Sequence, residues 1–344
     1  MIEPWKRRVG VQRAAVFLFV FFLSMACLRQ GGAVAAPENL LLPLDCEPGR
    51  SCWVVRYVDH DPGPDVRDYA CGPMTGDGHK GTDFAVRDLA AVTAGVKVRA
   101  AAAGRVSAVR DGMEDRLIDA ASVAAVGGRE CGNGVRIDHG DGWMSLYCHL
   151  RRGSTMVIEG DQVVAGQPLG MVGISGQTSF PHLHFDLRWN DRAVDPFVGT
   201  ERSAACGPGD APLWNRDVRR ALNYRPPLLT NSGITATVPD KNDTRKGWHR
   251  EEALPAHSPS LTLWVDGYWF EQGDKVAFKL EGPNRSLVID RAFEIGQRRQ
   301  RWFSFASAPR PFGGWPEGTY RGEVRVKRAS RAIDEVIGSE LLVN

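Results

Sequence analysis

Histidine and aspartate occur in this 344-residue sequence at spacings that suit a metal centre. The residues concerned are His79, Asp83, His149, His182 and His184. Two histidines and one carboxylate can bind zinc and leave its fourth position for water, as catalytic zinc sites do. The two remaining histidines suit proton transfer near neutral pH. Such a set predicts metal-assisted hydrolysis, with a peptide bond as a suitable substrate.

The two closest histidines lie in a run of residues that alternates between polar and apolar. Successive side chains of a strand point to opposite faces, so the run predicts a strand with one core face and one polar face. The predicted core residues are Leu183, Phe185, Leu187 and Trp189, and the polar face carries His182, His184, Asp186 and Arg188. His-x-His alone is a weak signal, and the alternative is a polar face turned to solvent. Asp186 is either an acceptor for a histidine N–H or an exposed acid.

The other candidates lie at the ends of predicted strands. Gly78 and Gly81 argue against a helix at His79 and Asp83, so we expect a loop that runs into a strand, or else a surface turn. His149 ends a predicted hairpin strand, and alternation points it away from Cys148. Taken alone, His149 is a structural residue, and it gains meaning only beside the other pairs.

Taken in chain order, the segments that carry His79 and Asp83, His149, and His182 and His184 resemble the lysostaphin-type, LytM-like zinc metallopeptidases that cut peptidoglycan peptides. That family's pattern is His-x-x-x-Asp, then aromatic-x-His-Leu, then His-Leu-His on a strand. These pieces stand at His79–Asp83, Tyr147–Leu150 and His182–His184, and the resemblance covers about residues 71–198. It implies a small, mostly antiparallel β-domain with an open groove, flanked by a loop at Gly173–Phe180.

The resemblance also implies a role for each candidate. His79, Asp83 and His184 would bind Zn²⁺, His182 would be the catalytic base, and His149 would stabilise the transition state or assist proton transfer. The sequence departs from the family's simple pattern at residues 111–130, a longer insertion that we expect to form a groove wall. A short helix is predicted inside it at Arg116–Val126.

The N-terminus has the features of an export signal. Positive residues precede the apolar run Ala14–Cys27, which at about 14 residues is short for a bilayer span of about 20. Small residues at 33–35 suit cleavage. The alternatives are an uncleaved anchor and lipidation of Cys27. All three predict an exported protein, periplasmic or secreted, with no stable membrane span beyond a possible N-terminal anchor.

Cysteine usage agrees with export, because an even number of cysteines outside the signal suggests disulfides. They are Cys46, Cys52, Cys71, Cys131, Cys148 and Cys206. The first two can close a small loop, and Cys131 and Cys148 can bridge the arms of a hairpin. The alternative is buried free thiols, and the full connectivity cannot be read from the sequence.

The remaining composition predicts a mostly β chain in two main parts. Gly and Pro are abundant, at 38 and 21 residues, and short β-type runs fill both halves. We expect a signal at 1–35, an N-terminal segment at 36–70, a peptidase domain at 71–199, a linker at 200–227 and a β-sandwich of Ig-like type at 228–344. The formal charge of +2 gives no basic footprint for nucleic acid.

Tryptophans in the C-terminal part have two predicted roles. Trp264 and Trp302 fall within strand runs and are expected in the core, whereas Trp269 and Trp315 fall near turns and can stack on sugar or contact a partner. The C-terminal domain is therefore a candidate for binding cell wall or a protein.

Three functions follow from these observations. The first is a zinc endopeptidase that hydrolyses peptidoglycan crosslinks. The second is a catalytically inactive relative that binds peptidoglycan or activates another hydrolase, although such relatives have lost ligands and this chain keeps all five positions. The third keeps the zinc and takes ordinary proteins as substrates.

Overall fold

The computed structural model describes residues 37–118, 126–201 and 205–344. The export signal predicted at 1–35, including Cys27, lies outside these residues, as does most of the helix predicted at Arg116–Val126. Residues 116–118 are described and are not helical. In the described ranges no helix has the length and apolar character needed to cross a membrane.

Short strands joined by turns make up the first half of the described chain. They are β1 (Cys52–Arg56), β2 (Thr82–Val86), β3 (Lys97–Arg99), β4 (Gly104–Arg110), β5 (Asn133–Gly140), β6 (Trp143–Leu150), β7 (Gln162–Val163), β8 (Pro168–Met171), β9 (His182–Trp189) and β10 (Arg192–Val194), with one helix, α1 (Leu89–Ala94). The strands β3 to β9 confirm the short β-type runs that the sequence predicts for this half.

Antiparallel pairing assembles most of these strands into one sheet. Its order is β1-β2-β9-β6-β5-β4-β7, with β10 added beside β9, while β3 and β8 form a separate pair. One face of the sheet packs on a core that includes Tyr147, Leu183 and Phe185, all fully buried. The opposite face of β9 is therefore left for its polar residues, as the alternation predicts.

Trp189 does not enter the core as predicted, because it lies at the exposed end of β9. Its ring is 37% exposed and stacks on Trp143, with ring centroids 5.9 Å apart. Its indole N–H donates to the Asp141 carbonyl at 3.2 Å. Asp141 belongs to the β5–β6 hairpin turn, where Gly140 and Gly142 also have positive φ.

The second half of the described chain forms a β-sandwich. Its elements are α2 (Arg216–Ala221), β11 (Leu228–Thr235), α3 (Lys241–Lys246), β12 (Ala253–Leu254), β13 (Ser260–Phe270), β14 (Lys275–Glu281), β15 (Leu287–Glu294), β16 (Arg299–Pro309), β17 (Gly318–Arg328) and β18 (Ile333–Val343). The sheets β11-β13-β16 and β12-β18-β17-β14-β15 enclose a second core with Leu263, Phe278 and Val324 at its centre. The predicted mostly-β fold with a C-terminal sandwich is confirmed.

Two of the tryptophans expected at the surface are instead buried. Trp269 and Trp315 are 4% and 5% exposed, and the Trp315 indole N–H donates to the Ser258 carbonyl. Neither ring offers a face to sugar, so that expectation was wrong. Trp264 is fully buried as predicted, whereas Trp302 is only partly buried.

The six cysteines of the described residues form three disulfides. Cys46–Cys52 closes the small loop and Cys131–Cys148 bridges the hairpin, two pairings that the sequence suggested. The third, Cys71–Cys206, joins positions 135 residues apart and spans nearly the whole first half of the fold.

The C-terminal end of β13 contacts the first half of the fold. Tyr268 and Trp269 belong to the core of the first half rather than to that of the sandwich. The Trp269 indole N–H donates to the Val55 carbonyl in β1 at 2.6 Å. The domain boundaries stay a prediction, but β1, within the predicted 36–70 segment, forms an edge of the first sheet.

Candidate metal centre

Three donor atoms from two distant segments of the chain meet above the polar face of β9. His184 Nδ1 lies 2.8 Å from Asp83 Oδ1, and His79 Nε2 lies 3.1 Å from Asp83 Oδ1 and 3.2 Å from His184 Nδ1. Asp83 and His184 are direct partners in the β2–β9 register. Their side chains therefore share a face, and His79 reaches them from the loop before β2.

The chemistry and spacing of these three donors fit a zinc ion. Imidazole nitrogens and a carboxylate oxygen bind zinc at about 2.0–2.2 Å in tetrahedral geometry, which places donors about 3.3–3.5 Å apart. The observed separations of 2.8–3.2 Å are slightly shorter. Small outward shifts of the side chains would be enough to admit the ion.

Hydrogen bonds orient the His79 ring for this role. Its Nδ1–H donates to the Tyr57 carbonyl at 2.7 Å, which fixes the tautomer and leaves the Nε2 lone pair facing Asp83. The loop itself is tied to Asp59, whose backbone N–H donates to the His79 carbonyl and whose carboxylate accepts from the Gly78 N–H. Residues 57–59 thus position a candidate ligand from outside the region of the sequence resemblance.

Two further histidines lie beside the three donors. His182 Nε2 is 3.5 Å from Asp83 Oδ1, and its ring centroid is 4.6 Å from that of His149. The Nδ1–H of His182 donates to the Phe180 carbonyl, and that of His149 donates to the Ser175 carbonyl. In both rings the Nε2 atom therefore carries a lone pair that is able to accept a proton.

His149 reaches the groove through an unusual backbone conformation. Tyr147 faces the core and Cys148 lies opposite His184, so regular alternation would place His149 on the core side. Its φ of +64° instead turns the imidazole to the same groove as Cys148. The prediction that His149 points away from Cys148 was therefore wrong. A non-glycine residue in this region is strained, and such strain clusters at functional sites.

Burial and mutual charge separate the pKa values of these groups. Burial raises the pKa of Asp83, but the neighbouring His79 and His182 outweigh it and hold the value well below its usual range. Burial lowers the pKa of His79, but the Asp83 carboxylate reverses this and gives a net rise. Burial lowers the pKa of His182 to about 4. The pKa of His149 is also lowered, mainly by burial and further by the nearby charges of His182 and His184.

An open groove of about 850 Å³ contains all five of these residues. The expected flanking loop contributes Gln177 to Phe180, and Ile118 and Glu130 contribute from the ends of the 111–130 insertion. Phe180 stacks on His182, with ring centroids 4.3 Å apart and planes at 20°. An extended peptide can therefore lie across the polar face of β9 between these walls.

Three other polar residues, Asp186, Asn133 and His139, have structural partners. Asp186 is buried and accepts from the Arg188 Nε and Nη2 rather than from a histidine. The Asn133 amide exchanges hydrogen bonds with the backbone of Met113, and so supports the insertion. The His139 Nδ1 lies 2.7 Å from the Ala103 carbonyl and so ties the end of β5 to the residue before β4.

Two residues of interest were missed in the sequence. The His60 Nε2 lies 2.8 Å from Asp195 Oδ2 in a pair with little exposure to solvent. Arg56 lines the groove from the end of β1. The signal for β1 was present, because Cys52–Arg56 is a short run of β-branched and aromatic residues.

Comparison with known proteins gives a family match for the segment that holds this site. Residues 77–196 match the family described as Peptidase family M23. This segment of the chain is similar to M23 peptidases. All five groove residues lie within the matched segment, whereas β1 and the sandwich lie outside it.

Curated relatives share short segments with this chain. It is 45% identical over 62 residues to the murein hydrolase activator EnvC of Escherichia coli. This match covers 18% of this chain and 14% of the relative. It is 39% identical over 64 residues to the peptidoglycan DD-endopeptidase ShyA of Vibrio cholerae, which covers 19% of this chain and 14% of the relative. The chain thus spans only about one seventh of the length of each relative.

Among solved structures, the catalytic domain of the antimicrobial peptidase lysostaphin from Staphylococcus simulans is similar. The identity is 25% and the TM-score is 0.27, over 41% of this chain and 85% of that domain. That score is too low to carry an argument about the site, which depends on the residues described above.

Proposed function

We propose that this protein is a zinc metalloendopeptidase that hydrolyses the peptide crosslinks of peptidoglycan during cell-wall remodelling. The observation that carries the proposal is the meeting of His79 Nε2, Asp83 Oδ1 and His184 Nδ1 within 3.2 Å of one another in an open groove. The match to family M23 supports a peptidase. The printed name of ShyA, a peptidoglycan DD-endopeptidase, supports the substrate class.

In this proposal His79, Asp83 and His184 hold the zinc, and His182 and His149 move protons. A zinc ion held there would polarise the scissile carbonyl and would lower the pKa of water toward about 7. His182 Nε2 faces Asp83 at 3.5 Å, so it lies beside the donors and can take the proton of the attacking water. Its hydrogen bond to the Phe180 carbonyl holds the ring in the tautomer that this step needs.

His149 completes the proton path in the same proposal. Its ring centroid lies 4.6 Å from that of His182 and 6.1 Å from that of His184. Once protonated on Nε2, an imidazole there donates a hydrogen bond to the developing oxyanion or a proton to the leaving amine. The left-handed backbone of His149 keeps this ring in the groove.

The second candidate is a LytM-like protein without catalysis that binds peptidoglycan or activates a hydrolase. The similarity to EnvC, which is named a murein hydrolase activator, favours it. The full set of donors and imidazoles favours hydrolysis, because a binding protein has no need of a His-Asp-His cluster in an open groove.

Location and partners follow from the same proposal. We infer that the chain is exported to the periplasm or secreted, with its N-terminus as a possible anchor. The peptidoglycan peptide is the substrate, and the sandwich is a candidate for contact with the wall or with a protein partner.

Incubation of the purified full chain with cell-wall sacculi, followed by mass spectrometry of the released peptides, tests the proposal. We expect about one zinc per chain and release of cleaved crosslinks. His184→Ala should lose both zinc and activity. His182→Ala should keep the zinc while turnover falls at least about 100-fold, as for loss of a general base.

His257→Ala is the matched control, because His257 is exposed and lies in the sandwich. It should leave both zinc content and turnover unchanged. Intact sacculi after incubation with a zinc-loaded chain, together with stimulation of a separate hydrolase, would favour the activator. Full turnover in His182→Ala would remove that residue as the base.

A further inference from the structure

Arg56 stands at the groove without a carboxylate partner. In the part of the chain that the structure describes, its guanidinium forms no salt bridge, although it is half-buried and lines the groove. It is the cross-strand partner of Asp83 in the β1–β2 register. Directly opposed residues have Cα atoms about 4.5–5.5 Å apart and share a sheet face. Arg56 therefore lies beside the three donors.

A β-bulge directs Arg56 to this face. The register passes from Val54 opposite Phe84 to Arg56 opposite Asp83, so Val55 is the extra residue. Without the bulge Val55 would face the groove and Arg56 would face the core, because side chains alternate. Bulges change the direction of side chains next to active sites. Because of this bulge, the cationic Arg56 faces the groove in place of Val55.

The second half of the protein supports this bulge. The Trp269 indole N–H donates to the Val55 carbonyl at 2.6 Å, which provides a partner for a group that the bulge removes from the ladder. Trp269 is 4% exposed and has a φ of +63°, a strained conformation for a bulky residue. The strain is compatible with a contact that fixes the position of β1.

Aromatic packing holds the Arg56 side chain at the groove wall. Its Cζ lies 5.9 Å from the Phe180 ring centroid, within the range of a cation–π contact. Phe180 in turn stacks on His182.

We propose that Arg56 binds a carboxylate of the substrate within about two residues of the scissile bond. The inference rests on the proposed peptidase function. A guanidinium presents a planar fork that matches a carboxylate with two parallel hydrogen bonds. One residue of extended peptide spans about 3.3–3.6 Å, so a carboxylate close to the bond reaches Arg56 while the scissile carbonyl lies at the donors. Arg56 thereby selects acidic crosslink peptides over neutral ones.

Binding of two matched substrate analogues to the zinc-loaded full chain tests this selection by calorimetry. Both carry a ketomethylene group in place of the scissile amide, and they differ only in whether the neighbouring carboxylate is free or amidated. We expect the acid to bind at least about 10-fold tighter than the amide. Arg56→Gln should bind the acid as weakly as the amide, and Arg56→Lys should recover part of the preference.

Two further variants separate selection from folding. Arg50→Gln is the matched control, because Arg50 is exposed and pairs with Glu47 away from the groove; it should keep the full preference. Trp269→Phe keeps an aromatic ring but loses the N–H to Val55, and it should reduce the acid preference while the affinity for the amide stays unchanged.

Several results would overturn the inference. They are equal affinities of the wild type for acid and amide, no binding of the acid, or a preference that survives in Arg56→Gln. Cleavage of the matching amide-bond peptides, measured separately, keeps the two proposals apart. A preference in binding without any cleavage would support the carboxylate site and refute the peptidase. Cleavage together with equal binding of both analogues would support the peptidase and refute the carboxylate site.

Discussion

Asp59 anchors the loop that carries His79, and its removal should weaken zinc binding without unfolding the protein. The Asp59 Oδ2 accepts a hydrogen bond from Gly78 N–H at 3.0 Å. Its Oδ1 accepts from Asp61 N–H at 3.2 Å and from Arg67 N–H at 3.0 Å. Truncation to alanine removes all three contacts and leaves the loop tied by backbone bonds alone.

The expected magnitude follows from these contacts. A hydrogen bond to a charged group contributes about 1.5–3 kcal/mol when buried. Gly78 is exposed, so water replaces part of the loss, and the local cost is roughly 3 kcal/mol in total. Each 1.4 kcal/mol is a factor of ten in affinity, so full transfer of this cost to metal binding sets a limit of about 100-fold. We expect Asp59→Ala to bind zinc about 10–100-fold more weakly, as for loss of an outer partner of a ligand.

Competition with a fluorescent chelator measures the zinc affinity, and a thermal melt of the metal-free protein reports the fold. Asp59→Asn keeps one acceptor oxygen and should fall between the wild type and Asp59→Ala. Asp61→Ala is the control, because its carboxylate accepts from the Gly63 N–H rather than from the His79 loop.

Equal zinc affinity in Asp59→Ala and Asp61→Ala would refute the reasoning. It would mean that the Tyr57 carbonyl and the neighbouring donors orient His79 without help from the carboxylate.

Three further predictions concern stability and the groove wall. Replacement of Cys71 and Cys206 by serine should lower the melting temperature, with a cost of about 3–5 kcal/mol for a bridge that closes so long a loop, whereas an unchanged melt would argue against this pairing. Phe180→Leu should reduce kcat about 2- to 10-fold at unchanged zinc content, since the stacking on His182 contributes about 0.5–1.5 kcal/mol; unaltered kinetics would exclude it as a support for that ring. Arg328→Met should destabilise the sandwich by about 3–5 kcal/mol in a denaturant titration because its carboxylate partner stays buried, and a loss below about 1 kcal/mol would contradict that.

Sequence reasoning identified the strand that forms the floor of the groove because its pattern is complete. The alternation from His182 to Trp189 has a period of two, so it reports the faces of β9 directly. Only Trp189 departed from it, since the end of a strand lacks neighbours to bury its side chain. The same reasoning identified the residues that meet here, but their roles as ligands and proton carriers stay predictions.

Backbone irregularities were beyond what the sequence pattern could predict. His149 reaches the groove through a positive φ, and Arg56 does so through a bulge at Val55. Both break the alternation on which the strand predictions depend. Each is held by distant contacts, through the Ser175 carbonyl in one case and Trp269 in the other. The strand preferences of individual residues do not predict such long-range contacts.

The burial of tryptophans was misjudged for a related reason. Trp269 and Trp315 lie near turns, where side chains are usually exposed. Trp269 is buried because the end of β13 packs against the other half of the protein, a contact that neither half predicts alone. Trp315 is buried in the sandwich core, where its N–H meets the Ser258 carbonyl.

Diffraction from a zinc-soaked crystal at the zinc absorption edge tests the central claim most directly. We predict one strong anomalous peak in the groove, about 2.0–2.2 Å from His79 Nε2, Asp83 Oδ1 and His184 Nδ1. His182 and His149 should stay outside bonding distance, free to exchange protons. A peak bound through His182 or His149, or no peak at these three donors in a zinc-saturated crystal, would contradict the account.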